Sequence, residues 1–195
     1  MKKLLVTAFE PFGGQDYNSS GLVLEKLPSA IGGLEVKKLM LPVLYKKAFD
    51  QLKDEMKHYK PDFVICLGQA GGRESIAIER IAININDSKS PDNDGIVKTN
   101  EHINANGEPA YFSNLPHERM MSAADGPGIG LSYSAGTYVC NDLMYRLMQL
   151  FAATGTKTLG GLINLPYTEK LNKTPNMALD RQVETLVAML GVMEG

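Results

Sequence analysis

Apolar positions divide the chain into short unbroken runs and longer stretches at helical spacing, and the two kinds alternate from end to end. Leu4–Ala8 is continuously apolar and predicts a buried strand, closed by the turn-rich segment Glu10–Ser20. A short helix is expected over Gly21–Lys26, and after the Gly32–Gly33 break Leu34–Leu41 reads as a second strand. Within Tyr45–Lys57 the residues Ala48, Phe49, Leu52 and Met56 recur at helical spacing. Lys57 and His58 follow near its C-terminal end, where cations suit the helix dipole. Pro61 leads into Phe63–Gly68, the most strand-like run of all.

Ile76, Ile78, Ile81, Ile83 and Ile85 alternate in the manner of one further strand. Asn86–Pro109 is polar, rich in Asn and Asp and long for a connector, so it is expected to be a surface excursion or lid. Pro116–Ala123 reads as a helix cut short by Asp125-Gly-Pro-Gly128, and the extended run Gly130–Tyr133 enters the stretch Ser134–Phe151. There, after Gly136, Val139, Leu143, Leu147 and Leu150 mark an amphipathic helix. Thr158–Leu165 is another buried strand. The last helix carries Leu179, Val183, Leu186, Val187 and Leu190 on one face, with Asn176 as its expected cap. This alternation predicts an α/β fold: a single-domain, three-layer α/β/α sandwich over residues 1–195 with a mostly parallel mixed sheet.

Composition changes this picture little. The chain has 195 residues, 44% hydrophobic and 22% charged, as expected of one well-cored globular domain. A net charge of −2 gives no reason to expect nucleic acid or an anionic membrane as a partner. The opening Met-Lys-Lys-Leu-Leu-Val resembles a signal peptide for a few residues. Glu10, Pro11 and two glycines then end the apolar run, and no stretch reaches transmembrane length, so a cytoplasmic protein is expected. Cys66 and Cys140 are too few for a disulfide framework and are expected to be free thiols.

Cys140 falls in or just before the first turn of the Ser134–Phe151 helix, where unpaired N–H groups and the dipole favour a thiolate. It is therefore a candidate nucleophile, although a small apolar residue capping the core would fit the same position. A nucleophile needs a base and an orienting group beside it. Polar residues near strand ends supply candidates: Glu79 within Ile76–Ile85, which could instead pair with Arg80 or face solvent, and Asn164 in Gly161-Leu-Ile-Asn-Leu-Pro166. Phe9 and Phe12, beside Pro11 and a glycine pair, could form an aromatic pocket or simply pack in the core. Gly68-Gln-Ala-Gly-Gly-Arg73 follows a strand, but its spacing fits no phosphate loop and a strand rather than a helix follows it.

Four stretches taken together are similar to the pyroglutamyl peptidase I (pyrrolidone-carboxylate peptidase) family: Ala8-Phe-Glu-Pro-Phe-Gly-Gly14, Gly68-Gln-Ala-Gly-Gly-Arg73, Glu79-Arg-Ile-Ala-Ile-Asn84 and Ser134-Ala-Gly-Thr-Tyr-Val-Cys140. Asn86-Asp87, Pro91-Asp-Asn93 and Ala110-Tyr-Phe112 fit the same family, and the resemblance runs in order over nearly the whole chain. It implies a cytoplasmic cysteine peptidase with an α/β/α fold, a homotetramer needing no cofactor and no metal, which releases N-terminal pyroglutamate from peptides. By the same resemblance Cys140 is the nucleophile and Glu79 the orienting carboxylate. Phe9 and Phe12 sandwich the lactam ring, Gln69 lies at the pocket, and Tyr138 and Val139 line its wall. Aromatic faces with a few amide partners suit such a ring.

One position departs from the family pattern. The motif Gly-Phe-Ile-His-Val-Pro carries the family's catalytic histidine, and here Asn164 stands in its place between matching Gly161, Ile163 and Pro166. An amide cannot take the thiol proton or return it, so the thiol is expected to titrate near its free value, with hydrolysis impaired by about 10²–10⁴-fold. Glu79 is then free to hydrogen-bond the Asn164 amide. Of the remaining histidines, His58 reads as a helix-end cation, His102 as a loop residue that could swing in with the excursion, and His117 as a surface residue at a helix start. Ser90 replaces an apolar family residue before Pro91, and the helix after Pro116 is short. The alternative to an impaired peptidase is a non-catalytic binder of pyroglutamyl or related lactam groups; a related hydrolase with a changed substrate would need a base from elsewhere.

Overall fold

A computed structural model describes residues 1–124 and 128–194. In chain order the elements are β1 (Lys2–Phe9), α1 (Ser19–Lys26), β2 (Ala30–Ile31), β3 (Leu34–Leu41), α2 (Lys47–Tyr59), β4 (Phe63–Gln69), β5 (Ile76–Glu79) and β6 (Ile81–Ile83). There follow β7 (Asn86–Ser88), β8 (Lys98–Glu101), β9 (Ala110–Phe112), α3 (His117–Ala123), β10 (Ile129–Ser132), α4 (Val139–Thr154), β11 (Leu159–Leu165), a 3₁₀ turn at Glu169–Leu171 and α5 (Leu179–Gly191).

The main sheet has seven strands in the order β10-β5-β11-β4-β1-β3-β2. The pairs β1–β3, β1–β4, β4–β11 and β5–β10 are parallel, whereas β5–β11 and β2–β3 are antiparallel. The expected mostly parallel mixed sheet is therefore present. Alternation along each central strand feeds two cores. Leu4, Val6, Ala8, Ile65 and Leu67 pack with α1, α3 and α5 on one face. Leu5, Phe9, Val64, Cys66 and Leu162 pack with α2 and α4 on the other. Continuous apolar runs are what a strand covered by helices on both faces requires.

Two sequence expectations change. The isoleucine run from Ile76 to Ile85 is two strands in different sheets. β5 ends at Glu79, Arg80 N–H donates to Ser132 O at 2.7 Å, and β6 turns away to pair antiparallel with β9. The alternation carries a trace of this break, since the isoleucines change phase between Ile78 and Ile81; β5 is buried throughout, whereas β6 buries Ala82 and leaves Ile81 and Ile83 half-buried. Asn176 does not cap α5; its Nδ2 donates to Lys173 O, and the free Leu179 N–H is met by Glu169 Oε2 at 2.8 Å. The turn expected at Asp125-Gly-Pro-Gly128 lies, except for Gly128, outside the described residues.

The Asn86–Pro109 excursion is bolted to the start of α4. Asn86 Nδ2 donates to Asp142 Oδ1 at 2.8 Å and Asp87 N–H to Thr137 O at 2.9 Å. Asn141 Nδ2 donates to Ile83 O and Ile85 O, just ahead of it. Its Asn93 also reaches the β1 and β3 ends, donating Nδ2 to Pro11 O and its backbone N–H to Val43 O, both at 3.0 Å. The segment is a strap held at several points along its length.

Candidate active site

The parallel strands converge at their C-terminal ends, and the site is assembled there from several separate segments. α4 begins at Val139 with Tyr138 extended before it and no side-chain cap, so its first N–H groups stay available. Gly136, at φ 76°, makes the approach to this helix possible. Cys140 is the second residue of α4, as the periodicity predicts. It lies over Gly68 of β4. A Cβ on that glycine would stand 2.9 Å from Cys140 Sγ and 2.4 Å from Asn164 Oδ1. The thiol and the amide thus face the same point, and only glycine leaves room between them.

Asn164 belongs to β11, opposite Gly68 on one side and Ala77 on the other. Its Nδ2 donates to Glu79 Oε1 at 2.8 Å. Glu79 is 0% exposed at the end of β5, so it does not face solvent. Nor does it pair with Arg80, whose guanidinium turns to the His117 ring. Its cation is Arg73, with Nη1 3.4 Å from Glu79 Oε1. Arg73 also donates Nη2 to Ser134 O at 3.0 Å. Sequence reading missed this role for Arg73. Its one signal was a basic residue closing the glycine-rich turn ahead of a buried carboxylate.

Burial raises the proton affinity of Glu79, opposed by hydrogen bonds to Ser132 and Asn164 and by the Arg73 charge. The thiol departs from the expected free value. Burial pushes Cys140 up to about 12, and the nearby Glu79 charge adds to the rise. Part of the residue is solvent-exposed, but its sulfur is ringed by protein, and that desolvation outweighs the helix dipole. Among the described residues no cation stands between carboxylate and thiol to reverse the effect.

Beside the sulfur is a small cavity of about 30 Å³ lined by Phe9, Phe12, Asn18, Val43, Gln69, Tyr138, Val139 and Cys140. The structure brings together all five pocket residues named from the sequence and adds Asn18 and Val43. Phe9 is buried, while Phe12 meets Tyr138 with ring centroids 6.1 Å apart. Gln69 is fixed by accepting from Ser19 N–H at 2.8 Å, and its Nε2 points to Gln15 Oε1 at 3.3 Å. Tyr138 donates its hydroxyl to Pro91 O at 2.8 Å, which ties the cavity wall to the strap.

None of the three histidines lines this cavity. His58 bonds the Asp54 carbonyl within α2, and His102 is exposed. His117 is part-buried against Arg80 rather than a surface residue. Among the described residues no group of three His, Cys, Asp or Glu is placed to hold a metal ion. No described helix is long and apolar enough to cross a membrane.

A cysteine at a helix start, an acidic side chain buried behind it and an aromatic-lined cavity beside it, all on an α/β sandwich, define a cysteine-peptidase type of site. The family model described as "Pyroglutamyl peptidase" matches residues 2–194. A protein of Thermosipho africanus named pyrrolidone-carboxylate peptidase is 44% identical over 194 residues, 96% of this chain and 95% of its own. One of the same name from Fusobacterium nucleatum is 39% identical, over 99% and 93%. The crystal structure of pyroglutamyl peptidase I from Bacillus amyloliquefaciens superposes with a TM-score of 0.93 at 35% identity, covering 99% of this chain and 97% of that one. The pyrrolidone carboxyl peptidase from Thermococcus litoralis gives 0.94 at 34% identity, covering 100% and 94%. The chain belongs to the pyroglutamyl peptidase family of cysteine peptidases.

Proposed function

We propose that residues 1–195 act as one unit that takes the N-terminal pyroglutamyl group of a peptide into the Phe9–Phe12 cavity, with Cys140 as nucleophile, and that turnover is slow because Asn164 occupies the place of the base. The observation that carries this reading is that Cys140 forms part of the wall of that cavity while facing Asn164 across Gly68. The flat lactam would pack against Phe9 and Phe12, with Gln69 offering its amide and Tyr138 and Val139 closing the wall. A thiolate would attack the pyroglutamyl carbonyl, forming a C–S bond as the C–N bond breaks. Water would then hydrolyse the thioester.

The first step must dispose of the thiol proton and supply one to the leaving amine. Asn164 does neither, and a thiol held near 12 is almost wholly protonated at neutral pH. Lost acid–base help costs about 10²–10⁴-fold. Following the family resemblance, the reading includes a cytoplasmic homotetramer without metal or cofactor.

The Asn164–Glu79 hydrogen bond favours a second reading, a non-catalytic binder of pyroglutamyl or related lactam groups, because it joins the two groups without a proton relay. Hydrolysis of a pyroglutamyl reporter amide by the protein, by Asn164→His and by Cys140→Ala tests both. The peptidase reading expects weak activity, lost with Cys140→Ala and raised about 100-fold or more by Asn164→His. Binding of pyroglutamate without turnover in either of the first two forms would leave the binder.

A further inference from the structure

We propose that Arg73 is a positioning residue of this site: its guanidinium holds Glu79 as a carboxylate and ties it to the Ser134 carbonyl on the approach to α4. The inference rests on the reading that Glu79 serves the Cys140 site, and it assigns a role to a residue outside the cavity.

Glu79 is sealed at the end of β5, and its Oε2 has no hydrogen-bond partner. A carboxylate in that condition is strongly disfavoured unless a cation stands beside it. The groups that face it are Asn164 from β11, Ser132 from β10, Cys140 from α4 and Arg73 from the turn after β4. Of these only Arg73 is charged positively. Its two terminal nitrogens divide the work, Nη1 toward Glu79 at 3.4 Å and Nη2 donating to Ser134 O at 3.0 Å. One planar fork therefore joins the turn after β4, the end of β5 and the lead-in to the nucleophile. A lysine could supply the charge but not both contacts.

The turn that delivers Arg73 is itself held. Ala70 N–H donates to Leu165 O at 2.8 Å, and Arg73 N–H closes back on Ala70 O at 3.4 Å. A Cβ on Gly71 would fall 2.1 Å from the Tyr167 hydroxyl, so the turn lies flat against that ring. The side chain is only 33% exposed, which limits the water that could replace it.

The test is the carboxyl titration of the protein labelled with ¹³C at glutamate side chains, followed by infrared or NMR spectroscopy, with Glu79→Gln identifying the signal. Arg73→Gln is expected to move that titration to higher pH, and Arg73→Lys to leave it close to the parent. In the Asn164→His background, Arg73→Gln is expected to lower kcat about tenfold or more near neutral pH with little change in KM. The acid limb of the pH profile should shift upward, and Arg73→Lys should recover only part of the rate, because it keeps the charge but not both contacts. An unchanged Glu79 titration in Arg73→Gln overturns the proposal. So does an Arg73→Lys protein as deficient as Arg73→Gln, which would make Arg73 a backbone tether alone. If Asn164→His has no activity, the peptidase reading falls, while the carboxyl titration still decides the part played by Arg73.

Discussion

Asn164 Nδ2 donates to Glu79 Oε1 at 2.8 Å, and the other end of the same amide faces Cys140 across Gly68. An imidazole in this place would link carboxylate to thiol through two nitrogens and could pass a proton between them. The amide keeps the link to Glu79 but offers Cys140 only a carbonyl oxygen, and that buried oxygen has no hydrogen-bond partner. On the proposed reading, Glu79 is a carboxylate set to support a base, and Asn164 does not supply one.

The Cys140 thiol should behave as a weakly acidic, poorly reactive group. Its alkylation by iodoacetamide, followed by mass, is expected to keep rising with pH well past the ordinary thiol value of 9.0, without a plateau there. Asn164→His should bring reactivity forward to neutral pH by pairing thiolate with imidazolium. A plateau near 9 in the unaltered protein would contradict the desolvation described here.

Glu79 should make stability depend on pH in a definite sense. Its folded-state proton affinity is raised, chiefly by burial. Such a group contributes its full stability in acid, below its unfolded value, and loses it as pH rises through the folded value. Glu79→Gln removes that loss while keeping an oxygen for Asn164. The variant is expected to gain a few degrees of thermal midpoint at neutral pH and to gain less, or nothing, in mild acid. Thermal scans of both proteins at the two pH values provide the check.

Gly68→Ala should damage the site more than the fold. The new methyl carbon would meet Asn164 Oδ1 at 2.4 Å and Cys140 Sγ at 2.9 Å, so both side chains must move. The expected result is loss of the Asn164→His rescue, with the α/β circular dichroism spectrum retained. Full rescue in the double variant would show that this close approach is not needed.

Tyr138→Phe removes the hydroxyl that holds Pro91 O at 2.8 Å while keeping the ring beside Phe12. The lost hydrogen bond is worth about 1 kcal/mol. Hydrogen exchange in Asp87–Asn93 is expected to rise, with weaker pyroglutamate binding measured by calorimetry. Phe12→Ala should weaken binding further, by about tenfold, without speeding that exchange.

Much of this protein is written locally. Unbroken runs such as Phe63–Gly68 could only be strands covered on both faces, and the spacing of Val139, Leu143, Leu147 and Leu150 placed Cys140 at a helix start. By residue type Phe9 and Phe12 are open between a pocket and core packing, and the family resemblance, not residue type, points to Gln69, Tyr138 and Val139 beside them. What the tertiary structure decided is non-local. The isoleucines of Ile76–Ile85 change phase between Ile78 and Ile81, but that slip alone does not show that the chain leaves one sheet for another at Arg80, because partner strands are chosen by distant segments. Arg73 rather than Arg80 meets Glu79 because the bend at Arg80 sends its side chain to His117, while the turn that leads from β4 to β5 brings Arg73 across. Glu169 rather than Asn176 caps α5 for a similar reason, its carboxylate arriving from a turn ten residues away. The proton affinity of Cys140 was the least legible quantity. A helix N-terminus is a local feature and favours the thiolate, but desolvation sums over every segment packed around the sulfur, and only the assembled fold fixes that sum.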